Sequence, residues 1–143
     1  SLNYDHASNK MSIYSNNSTR FEISSSGAFR GNSYGAGTLT TDASGNITAT
    51  SDERLKENFE PFTRGLSDVL KITPESYNWN ARSGMDRLNK YSGFRAQNLQ
   101  TAIPEAVTLQ PNGMLGVSDR PVIAALVNTI KELNARIEAL EAA

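Results

Sequence analysis

Cysteine is absent from the 143 residues, and histidine occurs once, at His6. The first absence excludes disulfide frameworks, thiol nucleophiles and cysteine–zinc sites. The second leaves a histidine-rich metal site or a Ser-His-Asp triad hard to build, so neither a metal nor a cofactor is expected. An excess of one charge is also lacking, with 14 Lys and Arg against 15 Asp and Glu. That balance gives no electrostatic reason for a nucleic-acid or anionic-membrane partner. The longest apolar run, from Val122 to Val127, is far too short to span a bilayer. No secretory signal is visible, and a start at Ser1 reads as a fragment of something longer.

What is present divides near residue 50. About half of residues 1–50 are Ser, Thr, Asn or Gly, and their few charges cancel. Met11 with Ile13 and Phe21 with Ile23 alternate at period two, the spacing of short strands. The run Asp42 to Asn46, between Leu39 and Ile47, has the composition of a hairpin turn. So little apolar surface cannot offset the ordering entropy of a monomer. The segment is therefore either disordered or completed by strands of other chains, and its regular alternation favours the second reading.

Residues 51–143 hold the single Trp and all five Pro. Phe62, Leu66, Val69 and Leu70 predict a helix opening at Glu60-Pro61. Tyr77 and Trp79 alternate as in a strand, residues 93–96 read as another, and Asn98 to Ala102 as a short helix stopped by Pro104. Asn112-Gly113 signals a hairpin between residues 107–109 and 114–117. Over 119–143, Ile123, Leu126, Ile130, Leu133, Ile137 and Leu140 recur by threes and fours, the a/d seam of a coiled coil. Ser118 or Asp119 can cap this helix, with Pro121 in its first turn. The seam serves either packing on its own domain or self-association. At about three heptads it cannot be stable alone. Ile at a and Leu at d by themselves favour two strands.

At the composition boundary stands Thr50-Ser51-Asp52-Glu53-Arg54-Leu55-Lys56. Serine is a poor nucleophile unless a base takes its proton, and with the histidine distant the base must be Lys, Asp or Glu. A Ser–Lys pair is a known alternative to the triad, provided that burial or nearby positive charge favours the neutral amine. Arg54 is near enough to supply some positive field. The same residues read equally as a turn cap at Ser51-Asp52 and an ion pair between Asp52 and Arg54.

Several further motifs occur in order with this one. They are SDERLKENFEPF at 51–62, Pro74 with Tyr77-Asn78-Trp79, Gly93-Phe94-Arg95-Ala96-Gln97, Ile103-Pro104-Glu105, and IKELNARIEALE at 130–141. Together they resemble the C-terminal intramolecular chaperone domain of phage tail spikes, tail fibres, neck appendages and endosialidases. GTLTTDASGNITAT at 37–50 resembles the trimeric β stalk that leads into such domains. The resemblance implies an α+β fold in an elongated homotrimer. Residues 1–50 would end an intertwined β stalk, and 51–143 would form the chaperone and auto-peptidase domain, with the coiled-coil helix at 119–143. It implies a homotrimer as partner, together with the upstream fibre of the same chain, and a single cut between Thr50 and Ser51. Asp52 and Arg54, which can equally form a structural ion pair, and Gln97, whose first reading is a structural hydrogen bond, are candidate supporting residues, while the resemblance makes Ser51 the nucleophile and Lys56 the general base. It places the chain in the host cytoplasm during phage assembly, with the mature fibre on the virion tail and the chaperone released. The other readings are a non-cleaving trimerisation cap and a fibre tip that binds a receptor or glycan, for which Tyr77 and Trp79 would supply the stacking surface. As core residues those two aromatics would serve packing alone.

Overall fold

The computed structural model describes residues 1–34, 38–41, 46–48 and 51–143. Residues 42–45 of the turn expected over 42–46, and Thr50 of the expected cleavage site, lie outside the described residues. Packing divides the chain into two compact units, Ser1–Phe59 and Glu60–Ala143, so the packing break falls nine residues beyond the break in composition. Strands and helices are mixed, as an α+β chain requires.

The first unit is built on an antiparallel sheet in sequential order, β1 (Leu2–Asp5), β2 (Lys10–Ser15), β3 (Ser18–Ile23) and β4 (Phe29–Gly31). Each strand pairs with its neighbour in sequence. The reason is local: Asn16 and Asn17 both adopt left-handed backbone, φ 51° and 53°. Such a two-residue loop matches the twist of the strands that it joins. The register aligns Leu2, Ile13 and Phe21 in one cross-strand row and Tyr4, Met11, Ile23 and Phe29 in the next. Because side chains alternate between faces, all seven point to one side. The other side carries Ser12, buried beneath Glu22 and its ion pairs with Lys10 and Arg30. A short ladder of β5 (Thr40–Thr41) and β6 (Ile47–Thr48) follows.

The second unit has a small core of Leu99, Ala102, Ile103, Ala106, Val122 and Ala125, with Phe62, Val69, Ile72 and Val107 packed against it. It contains α1 (Leu66–Val69), the hairpin of β7 (Glu75–Tyr77) and β8 (Tyr91–Gly93), and α2 (Ala96–Ala102). The hairpin of β9 (Val107–Leu109) and β10 (Leu115–Val117) follows, and then α3 (Asp119–Glu141). Gly113 takes the left-handed turn between β9 and β10, at φ 79°, a conformation that costs glycine nothing.

Three expectations are corrected. The helix does not open at Glu60-Pro61: α1 begins at Leu66, and Leu70 is 74% exposed. The carbonyls of Phe62 and Arg64 accept from Asn128 Nδ2 at 2.7 and 2.8 Å, so neither is engaged in a helical turn. Gly65 packs where a side chain would meet the Glu132 carboxylate. The strand expected over 93–96 stops at Gly93, because the Arg95 carbonyl already accepts from Asn98 and Leu99 and starts α2. Trp79 lies beyond β7 and outside the main core. It meets Tyr77 edge-on at 5.4 Å and Tyr91 at 6.3 Å, in a separate aromatic cluster.

The Asn128 clamp gives a stability prediction. Asn128→Ala leaves two half-buried carbonyls without their donor, and one unsatisfied group costs about 1–3 kcal/mol. Urea unfolding should show the variant less stable by roughly 2 kcal/mol. A change below about 0.5 kcal/mol would mean that water replaces the amide freely.

Acid should act on the same unit. Hydrogen bonds from Arg64 hold Glu105 below its ordinary 4.5, and Lys71, with the Gly65 amide and Arg64, holds Asp68 below 3.8. A carboxylate depressed in the folded state contributes stability that is present above its unfolded value and lost as pH falls through the folded one. The urea midpoint should therefore be flat from pH 7 to about 5 and decline below about 4.5. Glu105→Gln should weaken that decline, by less than about 1 kcal/mol because the pair is partly solvated.

Candidate functional site

Ser51 and Lys56 are five residues apart, and a fully extended chain would hold their backbones roughly 17 Å from each other. A turn of 3-10 helix over Glu53–Leu55 removes that distance. Asp52 caps it: Oδ1 accepts from the Arg54 amide at 2.9 Å, and the Asp52 carbonyl accepts from the Leu55 amide at 3.2 Å. The Lys56 amide closes the turn on the Glu53 carbonyl at 2.9 Å. Lys56 Nζ then donates to Ser51 Oγ at 2.8 Å. Local backbone geometry alone thus brings the hydroxyl and the amine together.

The Asp52 carboxylate is engaged twice more. Arg54 Nε donates to Oδ1 at 2.9 Å, and a terminal guanidinium nitrogen donates to Oδ2 at 2.7 Å. This two-point pair holds the Asp52 carboxyl below its ordinary range and raises Arg54. Both alternatives weighed for Ser51-Asp52 and Asp52–Arg54 are structural in kind, and the turn cap and ion pair are present together with the Ser51–Lys56 contact. All four residues are exposed in the single chain. Leu55 and Phe59 on the same segment are 72% and 71% exposed, so apolar groups beside the Ser–Lys contact also lack cover.

Gln97 is exposed on α2 in the second unit. Its neighbour Asn98 is the anchored amide, accepting from the Thr73 amide at 2.7 Å and donating to the Lys71 carbonyl at 3.0 Å. Arg95 forms a two-point pair with Glu75 at 2.6 and 2.7 Å. Sequence reasoning missed Asn128. Its signal was a carboxamide in a helix on the side away from the a/d seam, which had no partner until the 62–65 strap was seen.

The expected seam and the buried face of α3 are different stripes. Val122, Ala125 and Thr129 pack inward. Ile123, Leu126, Ile130, Leu133, Ile137 and Leu140 are all exposed, from 41% at Leu133 to 77% at Leu140. Among the described residues, no three metal-ligating side chains cluster, and no helix is long and apolar enough to cross a membrane.

Residues 51–108 match the family model Peptidase_S74, described as chaperone of endosialidase. The match therefore begins on Ser51 and includes Lys56. The long tail fiber protein Gp37 of Enterobacteria phage K3 is 37% identical over 100 residues, covering 67% of this chain. Its counterpart in Enterobacteria phage T2 is similar to the same extent. The chain spans only 8% of the length of these relatives. Family match and tail-fibre relatives agree, and the chain, through its 51–108 segment, belongs to the chaperone-of-endosialidase family.

Proposed function

We propose that this chain is the intramolecular chaperone of a phage tail fibre or spike, and that it releases itself by one cut between Thr50 and Ser51. The observation that carries the cut is the 2.8 Å contact between Lys56 Nζ and Ser51 Oγ. Lys56 takes the hydroxyl proton as Oγ attacks the Thr50 carbonyl carbon. The peptide C–N bond breaks, the Ser51 nitrogen takes up the proton, and Thr50 is left as an ester on Ser51. Water hydrolyses the ester, giving a Thr50 carboxylate and a free Ser51 hydroxyl. Asp52 and Arg54 position the turn, and no cofactor takes part. Each chain turns over once, as a serine auto-endopeptidase acting on itself.

In a single chain the Lys56 amine is exposed to water. Desolvation favours the neutral amine. Assembly would supply it by covering the segment of Leu55 and Phe59, which ties the cut to the folded particle. The two-stripe α3 supports self-association, with one stripe on its own core and the other bare. The family resemblance supports three copies, against the two strands that the a/d residues alone would favour. Three clamped chains hold their upstream segments at high effective concentration while strand pairing, which is slow and prone to slipped register, takes place. Release then leaves a fibre held by its unfolding barrier, on the virion tail, with the chaperone shed in the host cytoplasm.

The test is a time course of the purified chain on denaturing gels with intact-mass analysis. Two products are expected, parted between Thr50 and Ser51. One uncut species in a trimeric particle after prolonged incubation would leave a non-cleaving trimerisation cap as the reading.

A further inference from the structure

The β1–β4 sheet is inverted with respect to water. Ser12, on its polar side, is 2% exposed, whereas Ile13 beside it is 46% exposed. Leu2 and Phe29 are exposed by about two thirds, at 67% and 66%. The charged groups Lys10, Glu22 and Arg30, on β2, β3 and β4, form an ion-paired layer on the opposite side. A layer of paired charges is suited to water and an unbroken apolar face is not, so the exposed face is the one built to be covered.

We infer that this face packs against the same face of other copies of the chain, so that the sheets meet through their apolar sides with their ion-paired sides outward. The inference rests on the self-assembling reading above and adds the surface used by the first unit. The face has no charge for a different partner to complement. One of its apolar rows crosses all four strands and the other crosses three, so a second copy presents a matching slab. A large apolar side chain buries on the order of 100 Å², so the six that are exposed offer roughly 600 Å² per copy, against about 800 Å² per partner in a stable interface. That is too little to assemble unaided at low concentration, and sufficient once the second unit holds the copies together. Association is thus face to face between complete sheets, unlike an intertwined stalk in which chains exchange strands.

The cysteine-free chain makes the test direct. Ile13→Cys places a thiol at the centre of the face, and Arg30→Cys places one on the ion-paired side. Maleimide labelling of the 143-residue protein, kept uncut by Ser51→Ala, should be at least tenfold slower at Ile13→Cys than at Arg30→Cys, with the two rates equal in denaturant. Ile23→Cys repeats the measurement if Ile13→Cys folds poorly. Equal rates on a particle that light scattering shows to be trimeric would overturn the face-to-face contact and leave the proposed function standing. A monomeric mass would overturn both.

Discussion

Ser51→Ala should stop release altogether, so that the variant runs as one full-length band while the unaltered chain gives two. Removing the nucleophile of a serine peptidase costs at least about a thousandfold in rate. The two Lys56 variants separate the roles of that side chain. Lys56→Ala removes both the contact to Oγ and the base. Lys56→Arg keeps a cation that can donate to Oγ but cannot be deprotonated in a protein. If the amine acts as base, both variants should remain uncut. If Lys56→Arg cuts at the normal rate, the side chain serves only as a cationic tether and the base lies elsewhere. Asp52→Asn provides the structural control. It keeps a capping oxygen for the Arg54 amide but loses the ion pair with the guanidinium, so it should slow release without abolishing it.

The double change Ile130→Asp with Leu133→Asp should reduce the particle to single chains of 15.6 kDa by light scattering. Both positions are exposed in the isolated chain, at 66% and 41%, so the charges disturb no core contact there. In an assembled seam each carboxylate would be buried without a partner, at several kcal/mol apiece. The released monomer should unfold in urea close to where the unaltered second unit does. Ala125→Leu should give the opposite pattern. Ala125 is fully buried, and forcing extra methylenes into a packed core costs about 1–3 kcal/mol. That variant should be less stable within each chain while its seam is intact. If the Asp variant still assembles, the seam is not the contact between copies. If it dissociates and continues to cut, cleavage does not depend on assembly.

The sequence alone determined whatever depends on local spacing. Period-two alternation placed β2 and β3, threes and fours placed α3, and Asn112-Gly113 placed the β9–β10 hairpin, because each signal lies within one element and its neighbours. The Ser51–Lys56 contact belongs to the same class: a capped turn of a few residues suffices to close it. Tertiary structure decided where distant groups compete for the same backbone. Asn128, more than sixty residues away in the chain, takes the carbonyls on which a helix from residue 60 would have drawn, and Arg95 starts a helix where alternation suggested a strand. Which stripe of α3 is buried was likewise beyond sequence reading. Both stripes have helical spacing, and only the fit of the small side chains Ala125 and Thr129 against the core shows that the large ones are left bare. Periodicity gives the faces of an element; what each face meets is a property of the packed whole.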